Sequence, residues 1–197
     1  MRVWTGWRWW GVMPRMIKGK KVILRLVDEA DIEPMCRLEN DVAEVGEFLP
    51  PRLTTTTELR KKHQENGLWE EDRGMLLITA PDGRFIGRVW FFKCAPYASG
   101  YEVGAKIFRA EDRGQGYMTE AVQLFCALLF ESKPILRLQA CAAVENKASR
   151  RTAEKAGFQL EGIKRHMVQR HGQPLDMALY SLLRKECPSL KDLLARE

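Results

Sequence analysis

A chain of 197 residues, 45% hydrophobic and 29% charged, is long enough for one domain with its own core and too apolar for disorder. No run of about 18 uncharged apolar residues occurs, which excludes a membrane-spanning helix. The net charge of +6 suits an anionic ligand, an acidic substrate or RNA without choosing among them; most of the surplus lies in residues 135–171, where eight basic residues stand against three acidic ones.

Five cysteines without a C-x-x-C spacing and three histidines without an H-E-x-x-H argue against a disulfide frame or a metal site. They point to a reducing, cytoplasmic setting with mostly buried thiols.

Residues 1–15 hold Trp4, Trp7, Trp9 and Trp10 beside Arg2 and Arg8. With no small-residue cleavage site, this reads as a tail that touches a membrane interface, a partner or its own domain, or as an upstream-extended start with Met13 or Met16 the true first residue. The domain is expected over residues 16–186, with a helical extension at 187–197.

A strand is expected at 21–27, then a helix at 28–40 with Ile32, Met35 and Leu38 on one face and Asp28 or Asp31 as its cap. Pro50-Pro51 stops structure, and Thr55-x-x-Glu58 is a capping box opening a helix toward Trp69. Strands at 75–79 and 85–92 form a hairpin around Pro81-Asp82-Gly83-Arg84. A strand at 101–108 follows, then a helix with Met118, Ala121, Val122, Phe125, Leu128 and Leu129 on one face. Next come a strand at 136–142, a helix at 147–156 between Asn146 and Gly157, a strand pair at 158–168 and 175–183, and a helical stub at 189–196. The order is β-α-α-β-β-β-α-β-α-β-β. Short loops force the middle strands antiparallel, and strands after helices are free to pair in parallel.

Two stretches carry chemistry. In Arg113-Gly114-Gln115-Gly116-Tyr117-Met118-Thr119-Glu120-Ala121, glycines lead from a strand into a helix whose first amides are unpaired. That is either an anion site suited to a pyrophosphate or a plain connection. In Glu145-Asn146-Lys147-Ala148-Ser149, continuing to Glu154-Lys155-Ala156-Gly157-Phe158, helix capping by itself accounts for Asn146.

Together these stretches resemble the GNAT superfamily of acyl-CoA-dependent N-acetyltransferases, in its ribosomal-protein N-terminal (RimJ/RimL-like) branch. Arg25, Gly87, Glu102-Val103-Gly104, Gly162, Asp176 and Tyr180 add to the likeness, which spans residues 16–184. There are two departures. Glu111 stands where the family prefers Gln or Arg, a contact that Arg109 or Arg113 is expected to replace. Ala153 stands where many members have a tyrosine acid.

The resemblance implies an α/β fold whose mixed, mostly antiparallel sheet of about seven strands is splayed between the fourth and fifth. It also implies acetyl-CoA as cosubstrate, with no metal. Backbone groups of Lys106, Ile107, Phe108 and Arg109 would hold the pantetheine arm and thioester oxygen. Arg113, Gly114, Gln115, Gly116, Tyr117, Met118 and Thr119 would hold the pyrophosphate, Asn146 would be a further cofactor-binding residue, and Ser149 would lie near the sulfur. Ser149 is the expected acid and Glu102 the expected base. A surface hydroxyl is the alternative for Ser149, and a cross-strand ion pair with Arg88 or Lys93 the alternative for Glu102. Lys147, Arg150, Arg151 and Lys155 form a solvated face or in part meet the CoA 3′-phosphate. Cys141 reads as a small core residue.

The implied acceptor is a protein N-terminal α-amine. A polyamine or aminoglycoside-like amine is the alternative within enzymes, and a catalytically decayed RNA- or ribosome-binding module the alternative outside them. Acceptor choice is expected to lie in residues 41–69 and 166–174. A homodimer is a further expectation, with nucleic acid met only through a ribosome.

Overall fold

The computed structural model describes residues 16–44, 46–48, 53–94 and 100–195. In chain order the elements are β1 (Met16–Lys18), β2 (Ile23–Arg25), α1 (Ile32–Glu39), α2 (Thr56–Asn66), β3 (Arg73–Thr79), β4 (Phe85–Lys93), β5 (Gly100–Ile107), α3 (Tyr117–Ser132), β6 (Arg137–Ala143), α4 (Lys147–Lys155), β7 (Gln159–Arg170), β8 (Gln173–Leu183) and α5 (Leu190–Ala195). The strands make one sheet in the order β1-β2-β3-β4-β5-β6-β8-β7.

Strand alternation assigns the two faces. In β3, Leu76 and Ile78 turn to the face covered by α3, where Val122, Phe125 and Leu129 meet Leu24, Phe91 and Leu138. Leu77 turns to the other face, where Ile32 and Met35 of α1 and Leu59 of α2 pack with Phe108. Helix α4 joins the α3 layer through Ala153 and Ala156, and α5 does so through Leu190 and Leu193. No described helix is long and apolar enough to cross a membrane.

One pairing between neighbouring strands is parallel. Strands β5 and β6 pair from Gly100↔Arg137 to Glu102↔Gln139. Beyond that point β5 runs on to Ile107 and β6 to Ala143 without pairing each other. This is the splay.

The sheet has eight strands rather than about seven. The extra one, β1, hides from periodicity because a single side chain, buried Ile17, turns inward between exposed Met16 and Lys18. The splay therefore falls between the fifth and sixth strands, the same two segments. The strand expected at 21–27 shrinks to Ile23–Arg25 because Gly19 donates to Val22 O (2.8 Å), which makes a turn there. Only Cys36 and Cys126 are buried. Cys94 is exposed, and Cys141 and Cys187 are half-buried, so the expectation of mostly buried thiols fails. The tryptophan-rich stretch and Pro50-Pro51 lie outside the described residues.

Thr55 caps α2 as expected, accepting from Glu58 N (3.1 Å). Two carboxylates make longer-range ties. Glu120, in the first turn of α3, accepts from the amides of Lys20, Lys21 and Val22 at 2.7, 2.8 and 3.1 Å and so fastens the β1–β2 turn.

Glu161 of β7 accepts from both terminal nitrogens of Arg137 on β6 (2.5 and 2.6 Å) and from Ser181 Oγ on β8 (2.7 Å). The Arg137 guanidinium first, then Ser181, holds its carboxyl down at about 2, from an ordinary 4.5. A depressed folded-state pKa contributes stability that is complete above the unfolded value and fades as pH falls toward the folded one. Glu161→Gln should therefore be less stable than the native chain at neutral pH. The gap in Tm should close between pH 4.5 and about 2, as thermal unfolding at stepped pH would reveal; the partly exposed site keeps the effect modest.

Candidate active site

After β5, a short turn leads to Gly114 and Gly116, whose φ values of +77° and +83° place both in the left-handed region. Gly116 is the residue from which α3 starts. Among the described residues, no acceptor is present for the amides of Gly114, Gln115, Gly116, Tyr117, Met118 and Thr119. The ladder begins with Glu120 N on Gly116 O (3.2 Å). Six successive free amides at the positive end of a 16-residue helix make an anion-binding concavity.

Lys21 adds a cation there, with its Nζ 3.0 Å from Gln115 O. The two arginines expected to help are occupied elsewhere. Arg109 donates to Phe85 O (3.2 Å) and Arg113 to Glu44 O (2.8 Å). Glu44 also accepts from Ala110 N (2.6 Å), so the segment after α1 braces this loop.

Phe108 N donates to Ile86 O (2.9 Å), and antiparallel bonding alternates along the strand. With the register Lys106↔Arg88, the main chain of Lys106 and Phe108 thus faces β4, and that of Val103, Ala105 and Ile107 faces the splay. Of residues 106–108, Ile107 alone turns its main chain to the gap. Val103 and Ala105 also turn their main chain to the gap, a placement that hairpin parity gives. The Lys106 ammonium and the Phe108 ring are both buried, the former against Glu39 (3.2 Å).

Glu102 stands at the apex of the splay, in the last parallel pair. Its Oε2 accepts from Gln139 Nε2 (2.9 Å), and Cys141 Sγ lies 3.8 Å from the same oxygen. The alternative ion pair is not formed: Arg88 pairs with Glu39 and Lys93 with Asp72. Cys141 is not a core residue. It is half-buried, 3.9 Å from Lys164 Nζ, and burial first, then the Glu102 charge, pushes its thiol up to about 11. It stays protonated and is no nucleophile at neutral pH.

Helix α4 begins at the open end of the splayed β6, as α3 does beyond β5. Asn146 Oδ1 accepts from Ser149 N (3.0 Å). The exposed Ser149 hydroxyl has no partner among the described residues. Arg150 leaves the group expected on the solvated face: it donates to Tyr180 Oη (3.0 Å) and Val144 O (3.1 Å), and Tyr180 donates to Glu154 (2.9 Å). Tyr180, fully buried, therefore ties α4 to β8. Ala153 is buried in the same layer.

On the opposite face a cavity of about 600 Å³ lies between α1, α2 and strands β3–β5. Trp90 lies flat on its floor because position 104 is glycine; a Cβ there would stand 2.2 Å from the indole. Arg88 stacks on Trp90 at 4.3 Å, and Glu39 binds both Arg88 and Lys106. Thr54, Leu59 and Leu68 from the 41–69 segment line the walls, whereas the 166–174 loop does not contribute.

A model of the acetyltransferase (GNAT) domain matches residues 21–159. The chain belongs to the GNAT acetyltransferases. It is 30% identical over 175 residues to the probable N-acetyltransferase YjcK of Bacillus subtilis (strain 168), covering 85% of this chain and 97% of that one. Its fold is shared with a RimL ribosomal-protein α-N-acetyltransferase solved with coenzyme A (TM-score 0.74, 24% identity, 85% of this chain and 97% of that one). It is equally shared with a Vibrio cholerae spermidine N-acetyltransferase solved with CoA and spermine (TM-score 0.73, 17% identity, 85% and 98%).

Proposed function

We propose that this enzyme moves the acetyl group of acetyl-CoA directly to the α-amine of a protein N-terminus. The observation that carries the reading is the run of six free amides, 114–119, beside the unpaired edge of β5. The amides would hold the diphosphate, and the main chain of Val103, Ala105 and Ile107 the pantetheine. Acetyl-CoA supplies an activated thioester. The protein's part is to bind it, to take a proton from the amine and to support the leaving thiolate.

Glu102 would take the amine proton at the apex of the splay, with Gln139 fixing one of its oxygens. An N-terminal amine has a reference pKa near 8, so a carboxylate suffices as base. Ser149 would hydrogen-bond the thiolate; a serine is too weak an acid to drive the step by itself. Ser149→Ala should lower kcat by about tenfold, the loss of one such hydrogen bond, while acetyl-CoA affinity stays intact. Native kcat in that variant would leave Ser149 as a capping-turn residue only.

The cavity's charges favour a peptide over a polyamine. Four carboxylates line it, and three of them are neutralised: Glu39 by Arg88 and Lys106, Glu58 by Lys62, and Glu70 by Arg73. A polycation finds little unpaired negative charge there. The test is thiol release from acetyl-CoA across N-terminal peptides, polyamines and aminoglycosides, with product masses measured. Mass gain at a peptide α-amine supports the reading, and turnover confined to polyamines or aminoglycosides contradicts it.

A further inference from the structure

We infer that the acceptor carries a carboxylate a few residues from its amine, received by Arg88 and Lys106 on the cavity floor. This rests on the peptide acceptor proposed above. Two cations and one anion are packed together there. Lys106 is 7% exposed, Arg88 22% and Glu39 13% by side chain. The walls beside them are apolar, with Met35, Leu59, Met75 and Trp90. One positive charge is thus left without a counter-ion in a place where charge is costly to hold.

Among the described residues, none of the other charges lining the cavity is paired with Arg88 or Lys106. Lys62 with Glu58 and Arg73 with Glu70 cancel in pairs, and Glu65 is exposed.

The guanidinium is also shaped for an anion. Its Nε is bound to Glu39, and its two terminal nitrogens have no acceptor among the described residues. Stacking on Trp90 at 4.3 Å fixes the plane of the fork, and a planar fork receives a carboxylate through two parallel hydrogen bonds. Lys106 stands directly across the strand pair from Arg88, so both reach the same spot.

Spacing sets where the carboxylate must be. Glu102 and Lys106 share a face of β5, four residues apart, or about 13 Å at a strand's rise. The inward reach of the two cations shortens this. An extended peptide advances about 3.4 Å per residue. The guanidinium stacked on Trp90, whose ring lies against Gly104, sits only two strand residues, or about 7 Å, from the level of Glu102, so with the amine at Glu102 the third side chain, or a long second one, comes within reach of Arg88. The preferred acceptors are therefore N-termini with Asp or Glu at the second or third residue.

The experiment compares kcat/KM for three peptides that differ only there: Ser-Glu-Glu, Ser-Gln-Gln and Ser-Lys-Lys, each followed by one common sequence. The native enzyme should favour the acidic peptide over the neutral one by at least about tenfold, with the ratio falling as salt is raised. Arg88→Gln should bring the ratio to within about twofold, and Arg88→Lys should restore part of it. Equal rates with all three peptides overturn the inference and leave the proposed function standing. So does a ratio that survives Arg88→Gln. Should that variant fail to fold, the native ratio and its salt dependence decide. Turnover of polyamines with no peptide product overturns the proposed acceptor and this inference together.

Discussion

Replacing Glu102 by Gln should lower kcat/KM for acetyl transfer by about 100-fold near pH 6, and by progressively less above about pH 8, the reference pKa of an N-terminal amine. Gln keeps the shape of the side chain and can still accept the Gln139 hydrogen bond seen at 2.9 Å, so the change removes a base with little disturbance of packing. Below pH 8 the acceptor arrives protonated and depends on a carboxylate. Above it the amine arrives neutral and the dependence fades. The measurement is a pH profile of kcat/KM for both enzymes. A loss of equal size at every pH assigns Glu102 to holding the apex of the splay rather than to proton transfer.

Gly116→Val should weaken acetyl-CoA binding by at least about tenfold, or about 1.4 kcal/mol. It should also lower stability by about 1–3 kcal/mol, because a β-branched residue is strained at positive φ. The glycine sits at φ +83°, and a Cβ there would stand 3.2 Å from Lys21 Nζ, beside the amides proposed to receive the diphosphate. The fold should survive, since α3 is held by buried Val122, Phe125 and Leu129 and natural domains have about 5–15 kcal/mol in reserve. Gly172→Val is the control. Gly172 lies at the β7–β8 turn with φ +75° and open space around it, so it should lose stability while binding acetyl-CoA normally. Normal binding by Gly116→Val would leave the glycine loop a connection and nothing more.

Features that depend on nearest neighbours were legible in the sequence. The Thr55 and Asn146 caps, the buried face of α3 and the glycine loop all rest on residues within a few positions of one another, and the structure has each of them. What escaped depends on distant partners. Nothing local says that Glu120 accepts three amides from the β1–β2 turn, or that Glu44 braces the loop after β5. An ion pair of Arg88 with Glu102 was open on sequence, but Arg88 stands four positions along β4 from Phe92, the residue opposite Glu102. It was claimed instead by Glu39, at the end of a helix packed across the same face.

The candidate site divides the same way. Residues on the helix starts could be named from motif spacing. The residues turning main chain to the gap required the parity of β5 against β4, which the bond from Phe108 N to Ile86 O fixes. That shifted the edge set toward Val103 and Ala105. The cavity on the far face was invisible beforehand because it is assembled from segments of α1, α2, β3, β4 and β5. Only folding brings them together.

Amide hydrogen exchange at residues 114–119, followed with and without saturating acetyl-CoA, tests the central claim most directly. The six amides have no acceptor among the described residues, so they should exchange readily in the free enzyme. They should slow by at least about tenfold when a diphosphate accepts from them, as bound amides become protected. Unchanged exchange at all six, in an enzyme shown to be saturated, would contradict the assignment of this loop as the acetyl-CoA site.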